Sequence, residues 1–219
     1  MDRELGGGLG MVIPVDRILA DGSSREEWSR ARYSVIGASD AKILSKPESV
    51  HLYLAGKLKR ETFAGNVFSE NGYRYEPMIL GWAGYEHNTA LVHAPDEPGF
   101  AATPDGWRAG RAGAIALAEV KVKHVLPEKR TKGPTLGEWR QLAWQFRVIP
   151  EAEHIDWCWG DVDKRTDGED LIDDEPRFIR VYPDDPKILE LQAHIEPIAT
   201  DLLSRLRAAL AFERELNLV

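Results

Sequence analysis

Cysteine is almost absent from this chain of 219 residues, which contains only Cys158. An internal disulfide needs two cysteines, and a Cys-based zinc site or a four-cysteine iron–sulfur cluster needs more, so all three are excluded. A lone cysteine is typical of a protein in a reducing compartment, and we therefore expect a cytoplasmic location.

Long hydrophobic runs are also missing. No stretch approaches the roughly 18 apolar residues of a membrane helix, and the amino terminus lacks the basic and apolar segments of a signal peptide. Its glycines predict a flexible segment over residues 1–22. Hydrophobic residues make up 43% and charged residues 29% of the chain, the usual mix for a globular protein. We expect a single domain over residues 23–219, without a membrane partner.

Several catalytic motifs do not occur. The six histidines are scattered, with neither HExxH nor HxH among them. No GxGxxG is present, and the segment at 37–41 lacks the second glycine of a nucleophile elbow. Dinucleotide cofactors, zinc hydrolysis and serine hydrolysis are therefore disfavoured.

The net charge of −8 is unevenly distributed. Residues 161–175 carry eight acidic and two basic side chains, whereas residues 121–132 carry five basic and one acidic. The simplest interpretation of both runs is a pair of solvated loops. A local basic patch can nevertheless hold a phosphate backbone on an acidic protein.

The order of predicted elements indicates a mixed α/β fold with helical additions. Helices are predicted from Ser23 or Ser24 to about Arg32, from Ala38 or Ser39 to before Pro47, over His51–Leu58, over Gly65–Trp82 with a kink at Pro77, over Thr135–Ile149, and over Pro186–Leu216 with an interruption near Pro197. Strands are predicted over Leu91–His93, Phe100–Thr103, Ala114–Lys123, His154–Gly160 and Arg177–Tyr182.

A carboxylate site is indicated by two of these strands. In the segment 118–123, Glu119 and Lys121 alternate with apolar residues, so they share the polar face of a strand whose other face packs on the core. Asp105 lies in a Pro-Asp-Gly turn before that strand, and a tight hairpin would bring it beside Glu119. Carboxylates next to a cation suit Mg²⁺, water and substrate phosphate oxygens. The alternative is a turn residue beside an exposed ion pair.

These residues resemble the PD-(D/E)xK nuclease signature, here Pro104-Asp105 followed by Glu119-Val120-Lys121. Three further segments resemble the phage lambda exonuclease and YqaJ-type viral recombinase family, in that family's order. The segments are Arg32–Ser39, Gly72–Pro77 and Gln141–Phe146. The resemblance implies the PD-(D/E)xK core, a central mixed β-sheet flanked by helices.

The resemblance also implies roles for individual residues. Asp105, Glu119 and the backbone carbonyl of Val120 would bind two Mg²⁺ ions, for which Mn²⁺ would substitute. Lys121 would be the catalytic lysine, Glu76 would lie by the second metal or the attacking water, and Gln141 would lie near the scissile end. Arg32, Ser39 and Thr103 would hold a terminal 5′-phosphate. Gln145 is an alternative to Gln141 that the sequence leaves open, and Ala143 stands where many relatives carry a second glutamine.

The activity implied by the family is 5′→3′ degradation of one strand of linear double-stranded DNA. It would leave a 3′ single-stranded tail for a strand-annealing partner in phage-type recombination inside a bacterial host cell. Family members form homotrimers around DNA, and we expect one here. The alternatives are another nuclease with the same core, such as a restriction endonuclease or RecB-like domain, and a non-enzymatic DNA-binding or assembly protein.

Overall fold

Two β-sheets organise the described part of the chain. A computed structural model describes residues 13–59, 67–166 and 170–216. The strands are β1 (Ile18–Ala20), β2 (Ile36–Gly37), β3 (Glu86–His87), β4 (Leu91–His93), β5 (Phe100–Ala102), β6 (Gly106–Ala109), β7 (Ile115–Val125), β8 (Ala152–Asp163) and β9 (Arg177–Val181). The strand order is β1-β4-β5-β2 in the smaller sheet and β3-β6-β7-β8-β9 in the larger one. This mixed α/β architecture agrees with the prediction.

The helices cover these sheets. They are α1 (Arg25–Tyr33), α2 (Ala38–Ala41), α3 (Val50–Leu58), α4 (Val67–Ala83), α5 (Leu136–Val148) and α6 (Pro186–Leu216). Helix α5 begins at a capping box, in which the Thr135 hydroxyl accepts from the Glu138 backbone N–H and the Glu138 carboxylate accepts from the Thr135 N–H. No helix among the described residues is long and apolar enough to cross a bilayer.

The larger sheet is centred on the parallel pair β7 and β8. A parallel pair requires a crossover, which α5 supplies. Apolar side chains of α4 pack with Ala116 and Ala118 of β7, whereas those of α5 pack with Ile115 and Leu117. Because successive side chains point to opposite faces, both faces of β7 are covered as far as Val120. The alternative interpretation, an exposed ion pair on this strand, is therefore wrong for Glu119, whose carboxylate is buried.

The long carboxy-terminal helix also differs from the expectation. Helix α6 continues through Pro197, where an interruption was predicted. Proline removes one helical hydrogen bond, but Ile195 and Ile198 on either side are buried in the main core and hold the helix in place. Helix α4 likewise continues through Pro77. The first two residues of its predicted range, 65 and 66, lie outside the described residues.

The amino-terminal stretch is more structured than predicted. Of residues 1–22, expected to be flexible, the first twelve lie outside the described residues, but Ile18–Ala20 form β1 and pair with β4. Nearby, the buried guanidinium of Arg17 donates to the carbonyls of His93 (2.9 Å) and Val148 (2.7 Å) and pairs with Glu151. These contacts explain why the chain around β1 is held against the core.

The acidic run at 161–175 is not a simple solvated loop. Strand β8 extends to Asp163, so the run begins inside the sheet. The buried carboxylate of Asp161 accepts from the Arg177 guanidinium (2.5 Å) and from the Thr131 backbone N–H (3.0 Å). Arg130 forms an ion pair of 2.8 Å with Asp173. The contacts of Arg130 and Thr131 tie the acidic run to the basic segment 121–132, which corrects the expectation of two solvated loops.

Candidate active site

Asp105 is held beside Glu119 by the hairpin of β6 and β7. The antiparallel register places Gly106 opposite Ala118, and the Asp105 carboxylate accepts a hydrogen bond of 2.7 Å from the Val120 backbone N–H. The buried side chain of Asn88 donates to the Pro104 carbonyl at 2.8 Å, and its backbone N–H donates to the Asp105 carbonyl at 2.9 Å. The predicted position of Asp105 beside the strand is confirmed, whereas no sequence motif marks Asn88.

Glu119 lies at the centre of the site and is only 1% exposed. One of its carboxylate oxygens accepts from the Lys121 ammonium and from the Gln141 side-chain amide (2.5 Å). The other accepts from the Gln145 side-chain amide. Because residues four apart lie on one face of a helix, α5 presents both glutamines to the same carboxylate. Gln141 was the predicted residue and Gln145 an open alternative, whereas the structure brings both to Glu119.

Glu76 approaches the same cluster from α4. Its carboxylate lies 3.2 Å from the Nε2 atom of His87, a residue of β3 that the sequence analysis did not consider. Burial raises the pKa of Glu76, and the negative charge of Glu119 adds to this shift. The contact with His87 opposes this shift and holds the Glu76 carboxyl group in place.

Negative charge is disfavoured in this crowded cluster of carboxyl groups. Burial and the nearby charge of Glu119 raise the pKa of Asp105 well above its ordinary value. Burial alone would lower the pKa of Lys121, but the carboxylates of Glu119 and Asp105 outweigh this effect and raise it. The Lys121 ammonium therefore keeps its proton. Three carboxyl groups face one ammonium, and the raised pKa values of Glu76 and Asp105 show that the cluster favours additional positive charge.

The donor set fits a hard divalent cation. Among the described residues, no group of three or more His, Cys, Asp or Glu side chains is arranged to hold a metal ion. Mg²⁺ does not require such a cage, because it takes one or two carboxylates and completes its shell with waters and phosphate oxygens. Asp105 and Glu119 supply the two carboxylates, and Val120 follows Glu119 on β7 and donates its backbone N–H to Asp105.

A second polar cluster surrounds Arg32. Its guanidinium donates to the Ser39 hydroxyl at 2.7 Å and pairs with the Asp40 carboxylate at 2.7 Å. The Lys57 ammonium lies 2.8 Å from the same carboxylate. Burial would raise the pKa of Asp40, but Arg32 and Lys57 outweigh it and lower that pKa. Burial lowers the pKa of Lys57 to about 8. No sequence motif marks Asp40 or Lys57 as part of this cluster.

Thr103 reaches the same edge of the molecule through the smaller sheet. Strands β2 and β5 are parallel, with Gly37 opposite Ala101, so the segments carrying Ser39 and Thr103 leave the sheet at one edge. The Thr103 hydroxyl is buried and has no hydrogen-bond partner among the described residues. Since Thr103 lies two residues before Asp105, the Arg32 cluster adjoins the carboxylate cluster through β5.

The fold is shared with solved exonuclease structures. Among solved structures, the chain is similar to an alkaline exonuclease (LHK-Exo) from Laribacter hongkongensis, with a TM-score of 0.59 and 21% identity over 87% of this chain and 99% of that one. It is also similar to a phage-related exonuclease from Haemophilus somnus 129PT, with a TM-score of 0.52 and 11% identity over 89% and 93% of the two chains. No protein-family model and no curated protein matches the sequence. The resemblance seen in the motifs is confirmed at the level of the fold.

Proposed function

We propose that the protein is a metal-dependent nuclease that degrades one strand of linear double-stranded DNA in the 5′→3′ direction. The observation that carries the proposal is the cluster of Asp105, Glu119, Glu76 and Lys121 on a fold shared with exonucleases. Its crowded carboxyl groups suit a cation, and its single ammonium suits an anionic substrate.

The metal ligands in this proposal are Asp105, Glu119 and the Val120 carbonyl. They would hold two Mg²⁺ ions, for which Mn²⁺ would substitute. When bound, the metal lowers the pKa of a water molecule and neutralises charge on the phosphoryl group under attack. The chain itself supplies the positions: the hairpin fixes Asp105, and α5 orients Glu119 through two amide donors.

Lys121, Glu76 and Gln141 act on the reacting groups. The Lys121 ammonium stabilises the negative charge that develops on the phosphate in the transition state, an effect that is strong in a water-poor site. Glu76, which His87 contacts at 3.2 Å, would accept a hydrogen bond from the attacking water. Gln141 holds the Glu119 carboxylate and faces the scissile end.

The 5′ end of the strand is held by the Arg32 cluster. A guanidinium meets a terminal phosphate with two parallel N–H bonds. The hydroxyls of Ser39 and Thr103 add donors, and the unpaired Thr103 hydroxyl would gain a partner. Because Thr103 and Asp105 are nearly adjacent in the chain, a phosphate bound there would place the first internucleotide linkage near the carboxylates.

The assembly and biological setting complete the proposal. We expect a homotrimer that surrounds DNA, with acidic groups outside and Lys and Arg side chains inside, consistent with the net charge of −8. The 3′ tail would pass to a single-strand annealing protein in the cytoplasm of a bacterial host carrying the phage or prophage. Sedimentation of the protein with and without duplex tests the trimer, and a monomer at micromolar concentration in both samples would refute it.

The direct test is digestion of end-labelled linear duplex with Mg²⁺ or Mn²⁺, with and without a chelator. Each of Asp105→Asn, Glu119→Gln and Lys121→Met should reduce the cleavage rate by at least about 10²–10³-fold, the scale of losing one preorganised electrostatic group. Asp201→Ala is the matched control, since Asp201 is an exposed partner of Arg205 on α6.

The outcomes separate the alternatives. Release of label from the 5′ end of linear duplex, with closed circular duplex untouched, supports the exonuclease. Cleavage of closed circles indicates an endonuclease with the same core. Metal-independent cleavage, or an Asp105→Asn variant as active as Asp201→Ala, would refute the assignment of the site.

A further inference from the structure

A cavity lies at the end of the central strands that is opposite the carboxylate cluster. It has a volume of about 400 Å³ and lies where β6 ends and β8 begins. The side chains that define it are Arg108, Arg111, Glu153, His154, Arg180 and Tyr182. Glu119 is four positions after Ile115, the first residue of β7, so it lies roughly 13 Å along the strand from this end of the sheet. None of the six belongs to either cluster described above.

Two of its arginines are fixed in place. The guanidinium of Arg180 makes two hydrogen bonds of 2.8 Å to the buried carboxylate of Asp156. Arg108 stacks over the ring of Tyr85 at 4.2 Å and donates to the Ala83 carbonyl at 3.2 Å. Held guanidinium groups lose little freedom when they bind an anion.

The third arginine is uncommitted. Arg111 is exposed, and its guanidinium forms no hydrogen bond or ion pair with any residue that the structure describes. Only its backbone N–H is engaged, donating to the Glu153 carboxylate at 3.1 Å. Its five N–H donors are therefore open to a ligand.

The local charge favours an anion. Three guanidinium groups face the carboxylates of Glu153 and Asp156, and Asp156 lies beneath Arg180 and also accepts from the Tyr85 hydroxyl at 2.7 Å. The imidazole of His154 lies 3.2 Å from Glu153 and 3.3 Å from the Tyr85 hydroxyl. The wall thus combines a net positive charge with many N–H donors.

An aromatic surface completes the wall. Tyr182 is half exposed, and its ring centre lies 6.3 Å from that of His154. A ring beside a phosphate-binding group suits a nucleobase or sugar face. A volume of about 400 Å³ falls within the usual range of small-molecule sites.

We propose that this cavity is a second binding site, for a phosphate-bearing ligand of mononucleotide size. Arg108, Arg111 and Arg180 would bind the phosphate group, and Tyr182 would contact the remainder of the ligand. The phosphate could belong to a free nucleotide or to the backbone of bound DNA. This proposal depends on the cavity alone and holds whether or not the protein cleaves DNA.

The experiment is calorimetric titration of the full chain in the presence of a metal chelator. The chelator prevents the probes from binding through a metal ion at the carboxylate cluster. Every protein carries Arg32→Ala, which removes the other phosphate cluster. The probes are dAMP, inorganic phosphate and a short blunt duplex. Arg111→Ala should raise the dissociation constant about tenfold, as expected for one charge-assisted hydrogen bond that is partly exposed. The control Arg205→Ala, which removes the same charge from α6, should not change it.

The probes distinguish the two sources of phosphate. For a free nucleotide, dAMP binds more tightly than inorganic phosphate, and Tyr182→Ala weakens dAMP alone. For the DNA backbone, dAMP and phosphate bind alike, and Arg111→Ala weakens the duplex more than Arg205→Ala does. If Arg111→Ala and Arg205→Ala bind all three probes equally, the proposal is overturned.

Discussion

A methyl group added at Gly37 should disable the proposed 5′-phosphate pocket without damaging the fold. The Cβ of an alanine there would lie 2.7 Å from the Arg32 Cζ atom and 2.9 Å from its Nη2 atom. Ordinary contacts between carbon atoms begin near 3.5 Å, so the guanidinium must retreat by roughly 0.8 Å. A retreat of that size would take the 2.7 Å bond between Arg32 and Ser39 beyond the normal hydrogen-bond range.

The cost to stability should be small. Gly37 has φ −108° and ψ 175°, a conformation that any residue adopts, and the atoms that must move are the far end of a flexible side chain. We expect the free energy of unfolding to fall by less than about 1 kcal/mol. Gly81→Ala is the matched control, because a methyl group there meets no atom within 4 Å.

The loss should appear in the preference for a phosphorylated end. The assay compares initial rates on duplexes with a 5′-phosphate and with a 5′-hydroxyl. Because the displaced Arg32 guanidinium would lose one charge-assisted interaction with the 5′-phosphate, we expect the ratio of these rates to fall about tenfold. Gly81→Ala should keep the wild-type ratio.

Two results would refute this reasoning. If Gly37→Ala keeps the wild-type ratio while Arg32→Ala loses it, the steric argument is wrong. If wild-type protein cleaves both ends at equal rates, the pocket itself is wrong, although the carboxylate site would be unaffected.

Three further predictions concern stability and are checked by thermal or urea unfolding. Arg17→Ala should lower the free energy of unfolding by about 2–3 kcal/mol, because the carbonyls of His93 and Val148 lose a charged donor; an unchanged value would contradict the role given to Arg17. Ala112 has φ 50° in the turn between β6 and β7, a left-handed conformation that favours glycine, so Ala112→Gly should raise the free energy of unfolding by about 0.5–1 kcal/mol. A lower free energy of unfolding in this variant would contradict the claim that the backbone is strained at Ala112. Burial raises the pKa of Asp156, but Arg180 and Tyr85 outweigh it and lower that pKa, so its stabilisation is present above the unfolded pKa of about 3.9 and is lost as the pH falls through the folded pKa. Asp156→Asn should therefore be less stable than wild type near neutral pH, and the difference should shrink in acid.

Local chemistry was enough to predict much of the candidate site. The Pro-Asp-Gly turn and the alternation around Glu119 predicted a hairpin that aligns Asp105 with Glu119, and the register confirms it. These features depend on turn preference and strand periodicity, which act over a few residues. The capping box at Thr135 likewise marks the start of α5 within four residues.

Tertiary packing decided the rest. The sequence marked Glu119 as lying on a polar strand face, yet α5 covers that face and buries the carboxylate. Gln145 reaches Glu119 across 26 residues, and Lys57 reaches Asp40 across 17. No short-range pattern encodes such contacts, because they depend on which helix face packs against which strand. The amino-acid sequence determined the two strands, the turn and the chemistry they carry, whereas the packing of α3, α4 and α5 decided which side chains surround each carboxylate and therefore its charge.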